Sequence, residues 1–139
     1  MIEIIAGEKG KGKTKELIAK VNKDIQSTNG HIIYLDKNSK HMFELNNRIR
    51  LINVFDYPVT NTDMFLGFIA GTVSTDHDIE KIYLDSFLTI AYLDPEKVES
   101  AVMKLQEISN VFDVDFVLSI SMDQEQLPAS IRSMITVSL

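Results

Sequence analysis

Two kinds of hydrophobic pattern alternate along the chain. Short runs that are apolar almost throughout, and that end at glycine, proline or an acid, are typical of strands buried on both faces. Longer segments carry apolar residues every three to four positions, which is the spacing of a helix with one buried side. The predicted strands are residues 1–7, 31–36, 48–58, 80–87, 115–121 and 134–139. The predicted helical segments are residues 13–25, 40–48, 64–73, 94–110 and 127–133.

The alternation of these elements predicts a three-layer α/β fold, in which a mostly parallel sheet is flanked by helices on both faces. Right-handed crossovers are expected between the parallel strands. The clearest helix is the segment 94–110, where Asp94 is the candidate N-cap. Either Thr62 or Asp63 is expected to cap the helix at 64–73.

Length and composition indicate one domain that spans residues 1–139. Of the 139 residues, 45% are hydrophobic and 24% are charged, which is the balance of an ordered globular protein. Cysteine is absent, which excludes disulfides and thiolate metal sites and fits a reducing compartment. Since no secretory pattern is visible, we expect a cytoplasmic protein. The longest apolar stretch, Met64–Val73, is far shorter than the roughly 20 residues that span a bilayer, so no membrane association is expected.

The distribution of charge changes the expected partners. The net charge is -6 and the pI is about 5.0, which disfavours binding to a nucleic-acid backbone. Positive charge nevertheless concentrates near the N-terminus, where only Glu8 and Glu16 oppose a group of lysines. These lysines are Lys9, Lys11, Lys13, Lys15, Lys20 and Lys23. They coincide with the glycine-rich segment of the chain, which points to an anion as the ligand.

The segment "GEKGKGKT" at residues 7–14 matches the phosphate-binding pattern G-x-x-x-x-G-K-[ST]. Glycines let the backbone curl so that its N–H groups converge on phosphate oxygens without a side chain in the way. Lys13 is expected to reach the β- and γ-phosphates, and Thr14 to offer its hydroxyl to Mg²⁺, while the following helix directs its positive end at the same anion. The candidate phosphate-binding residues are Gly7, Glu8, Lys9, Gly10, Lys11, Gly12, Lys13, Thr14 and Lys15.

A lysine-rich turn that matches the pattern by accident is the alternative. With glycine at about 7% of residues, a chance match in a chain of this length is on the order of one in a few hundred. The motif also lies between a predicted strand and a predicted helix, as phosphate binding requires. The pattern itself does not need Lys9, Lys11 or Lys15. Lys15 is expected to be solvated, whereas Lys9 and Lys11 lie on the loop and either face the γ-phosphate or a partner, or are solvated too.

A second part of a nucleotide site is a carboxylate at the end of a buried strand. The run "IYLD" supplies one at Asp85, which we expect to hold Mg²⁺ through water, together with the hydroxyl of Thr14. An acid that ends an apolar strand is common, and a helix cap or a surface charge is the alternative. The upstream phosphate motif favours the metal-side role for Asp85.

In these motifs the chain resembles P-loop nucleoside triphosphatases, and among them it is similar to the RecA-like ATPase core over nearly its whole length. The resemblance rests on "GEKGKGKT", "IIYLD", "IYLDSF" and "FVLSIS", in that order. It implies that the protein binds Mg²⁺ and ATP and that Lys13 and Asp85 take part in catalysis. It also implies that the strand 115–121 lies between the strand 1–7 and the strand that ends at Asp85. ATP is expected over GTP because the guanine-reading pattern N-K-x-D is absent.

The residues that would activate water depart from the RecA-like pattern. In RecA-like proteins the residue that activates water is often a glutamate, either just after the metal-side acid or just beyond the second strand. Here Ser86 follows Asp85, and Asn38 stands beyond the second strand, with Asp36 two residues earlier. Ser121 ends the later strand, where a glutamine is common. Asp36 is therefore the third candidate catalytic residue. The protein is expected to hydrolyse ATP slowly, or only in a homo-oligomer or with a protein partner.

Two other functions stay open from the sequence. A small nucleoside or nucleotide kinase usually needs a lid with arginines, and the chain has only Arg48, Arg50 and Arg132. A non-catalytic module that binds a partner under nucleotide control needs no water-activating residue.

The remaining candidate groups are expected to be structural or solvated. Arg132 is expected at the surface, and an arginine finger for a neighbouring subunit is the alternative. The loop Asp76–Asp78 is expected to be solvated. No metal-ligand spacing is present among the histidines, which are His31, His41 and His77.

Overall fold

The computed structural model describes residues 1–139 and contains a six-stranded sheet. Its strands are β1 (Ile2–Ala6), β2 (His31–Asp36), β3 (Ile49–Asn53), β4 (Ile79–Leu84), β5 (Asp115–Ile120) and β6 (Ile135–Ser138). The strand order is β3-β2-β4-β5-β1-β6, and every neighbouring pair is parallel. β5 therefore lies between β1 and β4, in the place that the RecA-like resemblance implies.

Helices cover both faces of this sheet, which confirms the three-layer α/β fold. They are α1 (Lys13–Asp24), α2 (Thr62–Ser74), α3 (Phe87–Ile90), α4 (Val98–Phe112) and α5 (Ala129–Arg132). α1 packs on one face, where Leu17 and Val21 share an apolar cluster with Tyr34 and Tyr83. The helices α2 and α4 bury their apolar sides in the larger cluster on the other face. None of the helices has the length and apolarity that crossing a lipid bilayer requires.

The N-cap of α2 differs from the prediction. The side-chain oxygen of Asn61 accepts from the backbone N–H of Met64 at 2.8 Å, so Asn61 is the cap and not Thr62 or Asp63. Thr62 is already the first helical residue, and its hydroxyl donates to the carbonyl of Ala91 at 2.7 Å. Asn61 has the extended backbone that a capping residue needs. The prediction was wrong because the chain becomes helical one residue earlier than expected, at Thr62, which leaves Asn61 in the capping position.

The predicted helical segment 40–48 forms only a single 3₁₀ turn, at Met42–Glu44. Phe43 is 92% exposed, so it does not join a buried helical side as predicted, and only Leu45 packs against the core. The side chain of Asn22 on α1 donates to the carbonyl of Glu44 at 2.8 Å. The segment is therefore held to α1 by hydrogen bonds with little apolar burial.

The predicted strand 48–58 is also shorter in the structure. β3 ends at Asn53, whose side-chain oxygen accepts from the backbone N–H of Phe55 at 3.1 Å. That bond caps the 3₁₀ turn Val54–Asp56. The turn takes the chain out of the sheet five residues before Pro58, the predicted end.

Candidate phosphate-binding site

The glycine-rich loop connects the end of β1 to the start of α1. Gly10 and Gly12 have φ angles of 86° and 91°, in the left-handed region that costs other residues energy. Gly12 is the residue immediately before α1, so its conformation turns the chain from the loop into the helix. The first N–H groups of α1 have no partner inside the helix, and they lie where the glycine-rich loop joins the helix. The loop therefore has the positive glycine φ angles and the adjoining helix start that the motif predicts.

Gly7, the first residue of the motif, is needed for close packing. A Cβ at Gly7 would lie 3.1 Å from the Cβ of Leu139. The backbone N–H of Gly7 donates to the carbonyl of Met122 at 2.9 Å, and that of Leu139 donates to the carbonyl of Ala6 at 2.8 Å. Backbone hydrogen bonds therefore hold the start of the loop to the residue after β6 and to the segment that follows β5.

Lys13 lies inside the loop. Its side chain is largely buried, with the residue 8% exposed, and its Nζ donates to the carbonyl of Glu8 at 2.9 Å. Burial lowers the pKa of the Lys13 ammonium, and the charge of Asp85 opposes that shift. A cation with one neutral acceptor in a largely buried place is poorly solvated, which favours its interaction with an anion.

Asp85 follows β4 directly and is only 2% exposed. Its Oδ1 accepts from the hydroxyls of Thr14 at 3.2 Å and Ser119 at 2.9 Å. Its Oδ2 accepts from the hydroxyl of Tyr34 at 2.8 Å. The three donors come from α1, β5 and β2, so three separate elements hold one carboxylate. Thr14 and Asp85, the predicted metal-side pair, are brought together.

Sequence reasoning missed Tyr34 and Ser119. A signal for Ser119 was present, because the predicted place of β5 beside β4 puts its polar residues next to Asp85, and Leu84 pairs with Leu118. Tyr34 carried no such signal, since a tyrosine within an apolar strand reads as core.

A cleft of about 210 Å³ opens between the loop and the ends of β4 and β5. Its lining residues are Lys9, Gly10, Gly12, Lys13, Thr14, Lys37, Asp85, Ser86, Thr89, Ser119 and Ser121. The other predicted residues, which are Gly7, Glu8, Lys11, Lys15 and Asp36, do not line it. Lys15 is exposed, as expected, and Lys11 is exposed too, which agrees with the alternative that it is solvated. Lys37 lines the cleft although the sequence did not single it out.

Asp36 ends β2 and is buried beside the cleft without lining it. Its Oδ1 accepts from the backbone N–H of Lys37 at 2.7 Å. Burial, and then the charge of Asp85, raise the pKa of the Asp36 carboxyl to about 6. Asn38 does not line the cleft either, and its side-chain oxygen accepts from the N–H of Lys40 at 3.1 Å.

The Asp36 substitution to asparagine is expected to stabilise the protein at neutral and alkaline pH. A folded-state pKa above the unfolded value means that the carboxyl stabilises the fold below about pH 4, and that this contribution is lost as pH rises through about 6. Asp36→Asn keeps the acceptor for Lys37 and removes the charge. Urea unfolding near pH 8 should show a gain on the order of 2 kcal/mol over the wild type, and near pH 4 almost none. Asp94→Asn, at an exposed acid, is the control and should change stability little at either pH; an equal gain there would refute the prediction.

Arg132 is engaged within its own chain. Its Nε donates to the carbonyl of Leu127 at 2.9 Å, and one terminal nitrogen donates to that of Glu125 at 2.9 Å. The guanidinium thus fixes the loop between β5 and α5. This geometry favours a structural role for Arg132 over an arginine finger.

The residues His31, Asp76 and Asp78 lie together at the amino ends of β2 and β4, away from the cleft. Their candidate ligand atoms lie within 4.8 Å of one another. The guanidinium of Arg50 donates to Asp76 Oδ2 at 2.9 Å and lies 2.9 Å from His31 Nδ1. Arg50 and His31 both contact the carboxylate of Asp76, so these residues form an ion-pair network around Asp76.

A larger cleft, of about 620 Å³, lies elsewhere, between the N-terminal halves of α2 and α4. Asp63 is its only carboxylate, and none of the glycine-motif residues lines it. The cleft beside the glycine-rich loop is therefore the candidate phosphate site because of the residues that line it, and not because of its size.

No protein-family model matches this sequence, and no curated protein matches it in sequence. In three dimensions the chain is similar to the flagellar accessory protein FlaH from Methanocaldococcus jannaschii, with a TM-score of 0.61 and 15% identity over 96% of this chain. It is also similar to a KaiC-like protein from Pyrococcus horikoshii OT3, with a TM-score of 0.63 and 18% identity over 85% of this chain. The chain spans 65% and 61% of the lengths of these two structures. At these identities the likeness shows the fold alone, which is RecA-like.

Proposed function

We propose that this protein binds ATP with Mg²⁺ in the cleft beside the glycine-rich loop, and that it hydrolyses ATP slowly or only when assembled with further copies or a protein partner. The observation that carries the proposal is the convergence of Lys13, Thr14 and a buried Asp85 on one cleft at the start of α1. The cleft lies at the carboxyl ends of parallel strands, where open α/β sheets bind their ligands.

The donor set at the cleft suits magnesium. Thr14 Oγ1 and Asp85 Oδ1 lie 3.2 Å apart, and hydroxyl and carboxylate oxygens are the hard donors that Mg²⁺ prefers. Mg²⁺ keeps several waters, so one hydroxyl and one water-mediated carboxylate are a sufficient protein contribution. Bound there, the ion would neutralise charge on the β- and γ-phosphate oxygens.

The phosphate chain would be held by the loop and by Lys13. Because Gly10 and Gly12 have no side chain, polyphosphate oxygens can approach the loop N–H groups closely. Lys13 Nζ would exchange the neutral carbonyl of Glu8 for anionic oxygens. Charge-assisted hydrogen bonds are about twice as strong as neutral ones, which favours that exchange.

Slow hydrolysis follows from the acids of the cleft. Asp85 is the only carboxylate that lines it, and its oxygens already accept three hydroxyl hydrogen bonds. Asp36 keeps its candidate role as a base because a pKa of about 6 suits proton acceptance near neutral pH. It must first be exposed to the cleft, and a partner or second copy is the proposed cause.

The same observation favours a second candidate function, a nucleotide-regulated binding module without turnover. Nucleotide binding without hydrolysis needs the glycine-rich loop and the pair Thr14 and Asp85, and it does not need a carboxylate that is free to activate water. Phosphate release measured at rising protein concentration separates the two candidates, since a partner-dependent ATPase gains activity on assembly and a binding module does not.

Isothermal titration calorimetry of the wild type tests the proposal directly. Mg-ATP is expected to bind with one site per chain, and AMP, which lacks the β- and γ-phosphates, is expected to bind far more weakly. Absence of binding at millimolar Mg-ATP would defeat the proposal.

Lys37 is expected to help the protein distinguish ATP from ADP. It is the cleft-lining lysine that lies outside the glycine-rich motif, directly after β2, so its charge should favour the additional phosphate of ATP. Lys37→Ala should weaken Mg-ATP binding about fivefold and Mg-ADP binding less than about twofold. Lys40→Ala, three residues further along the same loop and away from the cleft, is the control. Equal losses for both nucleotides, or equal losses in both variants, would contradict this role.

A further inference from the structure

Tyr34 is buried beneath α1 and takes no part in lining the cleft. The residue has no exposed surface, and its hydroxyl makes one hydrogen bond, to Asp85 Oδ2 at 2.8 Å. Phenylalanine would fill the same apolar layer without a polar atom to satisfy. The hydroxyl therefore serves Asp85.

Packing fixes the direction from which this hydroxyl reaches Asp85. The ring of Tyr34 on β2 stacks on that of Tyr83 on β4, with centroids 6.4 Å apart and planes 11° from parallel. Both rings belong to the apolar cluster under α1. The χ2 torsion of aspartate is broad and roughly two-fold. The hydrogen bond from Tyr34 to Oδ2 therefore restricts rotation of the carboxylate about χ2.

The other oxygen of Asp85 has a matching anchor. Ser119 donates to Oδ1 at 2.9 Å, and its own hydroxyl oxygen accepts from the backbone N–H of Ser86 at 2.8 Å. That N–H orients the serine hydroxyl so that its hydrogen points to the carboxylate. Thr14 is the third donor to Asp85, but it belongs to the metal pair and is the one of the three that would contact the ion.

We propose that Tyr34 and Ser119 are positioning residues that hold the Asp85 carboxylate in the orientation in which it accepts from metal-bound water, and so set how much Mg²⁺ adds to nucleotide affinity. This inference rests on the proposed function. Tyr34 acts only through Asp85, because it lies outside the cleft. The affinity for nucleotide without Mg²⁺ depends on the loop and Lys13, which Tyr34 does not contact by a hydrogen bond.

The chain offers a closely matched control in Tyr83. Its hydroxyl donates to the carboxylate of Asp24 at the end of α1, far along the helix from Thr14. Tyr34→Phe and Tyr83→Phe therefore remove the same group from stacked rings in one layer, and each leaves a carboxylate with one fewer donor. Only Tyr34→Phe affects the carboxylate of the cleft.

The experiment measures the dissociation constant of ATP by calorimetry with Mg²⁺ and with EDTA, for the wild type and both variants. The ratio of the two constants is the magnesium increment. Tyr34→Phe is expected to reduce the increment about five- to tenfold with the EDTA value changed by less than about twofold, and Tyr83→Phe to leave the increment at the wild-type value. Thermal melts of both variants show whether each is folded. If Tyr34→Phe does not fold, Ser119→Ala replaces it with the same expected loss.

Each outcome decides one claim. An unchanged increment in a folded Tyr34→Phe, or in Ser119→Ala where that variant replaces it, overturns the positioning role, and so does an equal fall in Tyr83→Phe. Failure of the wild type to bind ATP under either condition defeats the proposed function, and this inference with it. Wild-type binding without any magnesium increment leaves phosphate binding by the loop standing, and overturns the magnesium part of the proposed function together with the positioning role.

Discussion

Replacing Lys13 with alanine is expected to weaken Mg-ATP binding by about 100-fold, which corresponds to about 3 kcal/mol. The largely buried ammonium has only the carbonyl of Glu8 as a hydrogen-bond partner, so most of its interaction free energy is available to phosphate. Because burial lowers the pKa of Lys13, the charged group is already unfavourable for folding. Lys13→Ala should therefore fold at least as stably as the wild type.

Calorimetry and thermal melting of Lys13→Ala check both parts of this expectation. Lys15→Ala makes the same change in net charge at an exposed position outside the cleft and should alter affinity by less than about threefold. Comparable losses in the two variants would mean that general electrostatic attraction, and not a bound phosphate, explains the lysine-rich segment.

Local pattern was sufficient for the elements that hold the loop. The apolar residues of β1 and α1 recur at the spacing of a strand and of a helix, so both elements could be predicted. The glycines between them have the positive φ angles that the motif predicts. The place of β5 between β1 and β4 came from the family resemblance, because nothing in the strand itself specifies its neighbours. Parallel strands with similar apolar composition are interchangeable in a sequence pattern.

The parts that could not be predicted depend on contacts between distant segments. Tyr34 and Asp85 are separated by 51 positions along the chain, and the role of the tyrosine exists only because β2 and β4 are adjacent. Lys37 enters the cleft for the same reason. The helical spacing of the segment 40–48 predicted a buried side that would include Phe43, but the segment forms a turn that polar bonds hold to α1, and Phe43 is exposed.

The two candidate catalytic aspartates, Asp85 and Asp36, lie in different places because their strands end differently. Asp85 comes after the last residue of β4 and turns toward α1, where Thr14 meets it. Asp36 is the last residue of β2, still in register with Asn53 of β3, and its carboxylate is turned back to the N–H of Lys37. Two aspartates at the same edge of the sheet thus have different roles, one at the cleft and one behind it.

Replacing Asp85 should separate its structural from its metal-binding contribution. In Asp85→Ala, three hydroxyls of largely buried residues lose their acceptor, at about 1 kcal/mol or more each. Removal of the charge also relieves the repulsion with Asp36, which offsets part of that loss. We expect a net destabilisation of about 2 kcal/mol for Asp85→Ala by urea unfolding, together with loss of the magnesium increment in ATP binding.

Asp85→Asn is the matched variant because the amide retains the shape and one acceptor oxygen. Its oxygen can accept from Ser119 and Thr14, and its amino group can donate to the hydroxyl oxygen of Tyr34, so only the hydroxyl hydrogen of Tyr34 loses its acceptor. Stability should remain within about 1 kcal/mol of the wild type, whereas the magnesium increment should be lost as in the alanine variant. A stable asparagine variant that keeps the full increment would exclude Asp85 as the metal-side acid.

The asparagine variant also makes a prediction about Asp36. The pKa of Asp36 is raised first by burial and second by the charge of Asp85, and Asp85→Asn removes only the second cause. The wild type should lose stability as pH rises from about 4 through about 6, and in Asp85→Asn that loss should shrink without disappearing. Urea unfolding across this range measures both losses. An identical pH dependence in the two proteins would mean that the carboxylates do not interact, and that Asp36 is too remote from the cleft to act on a nucleotide there.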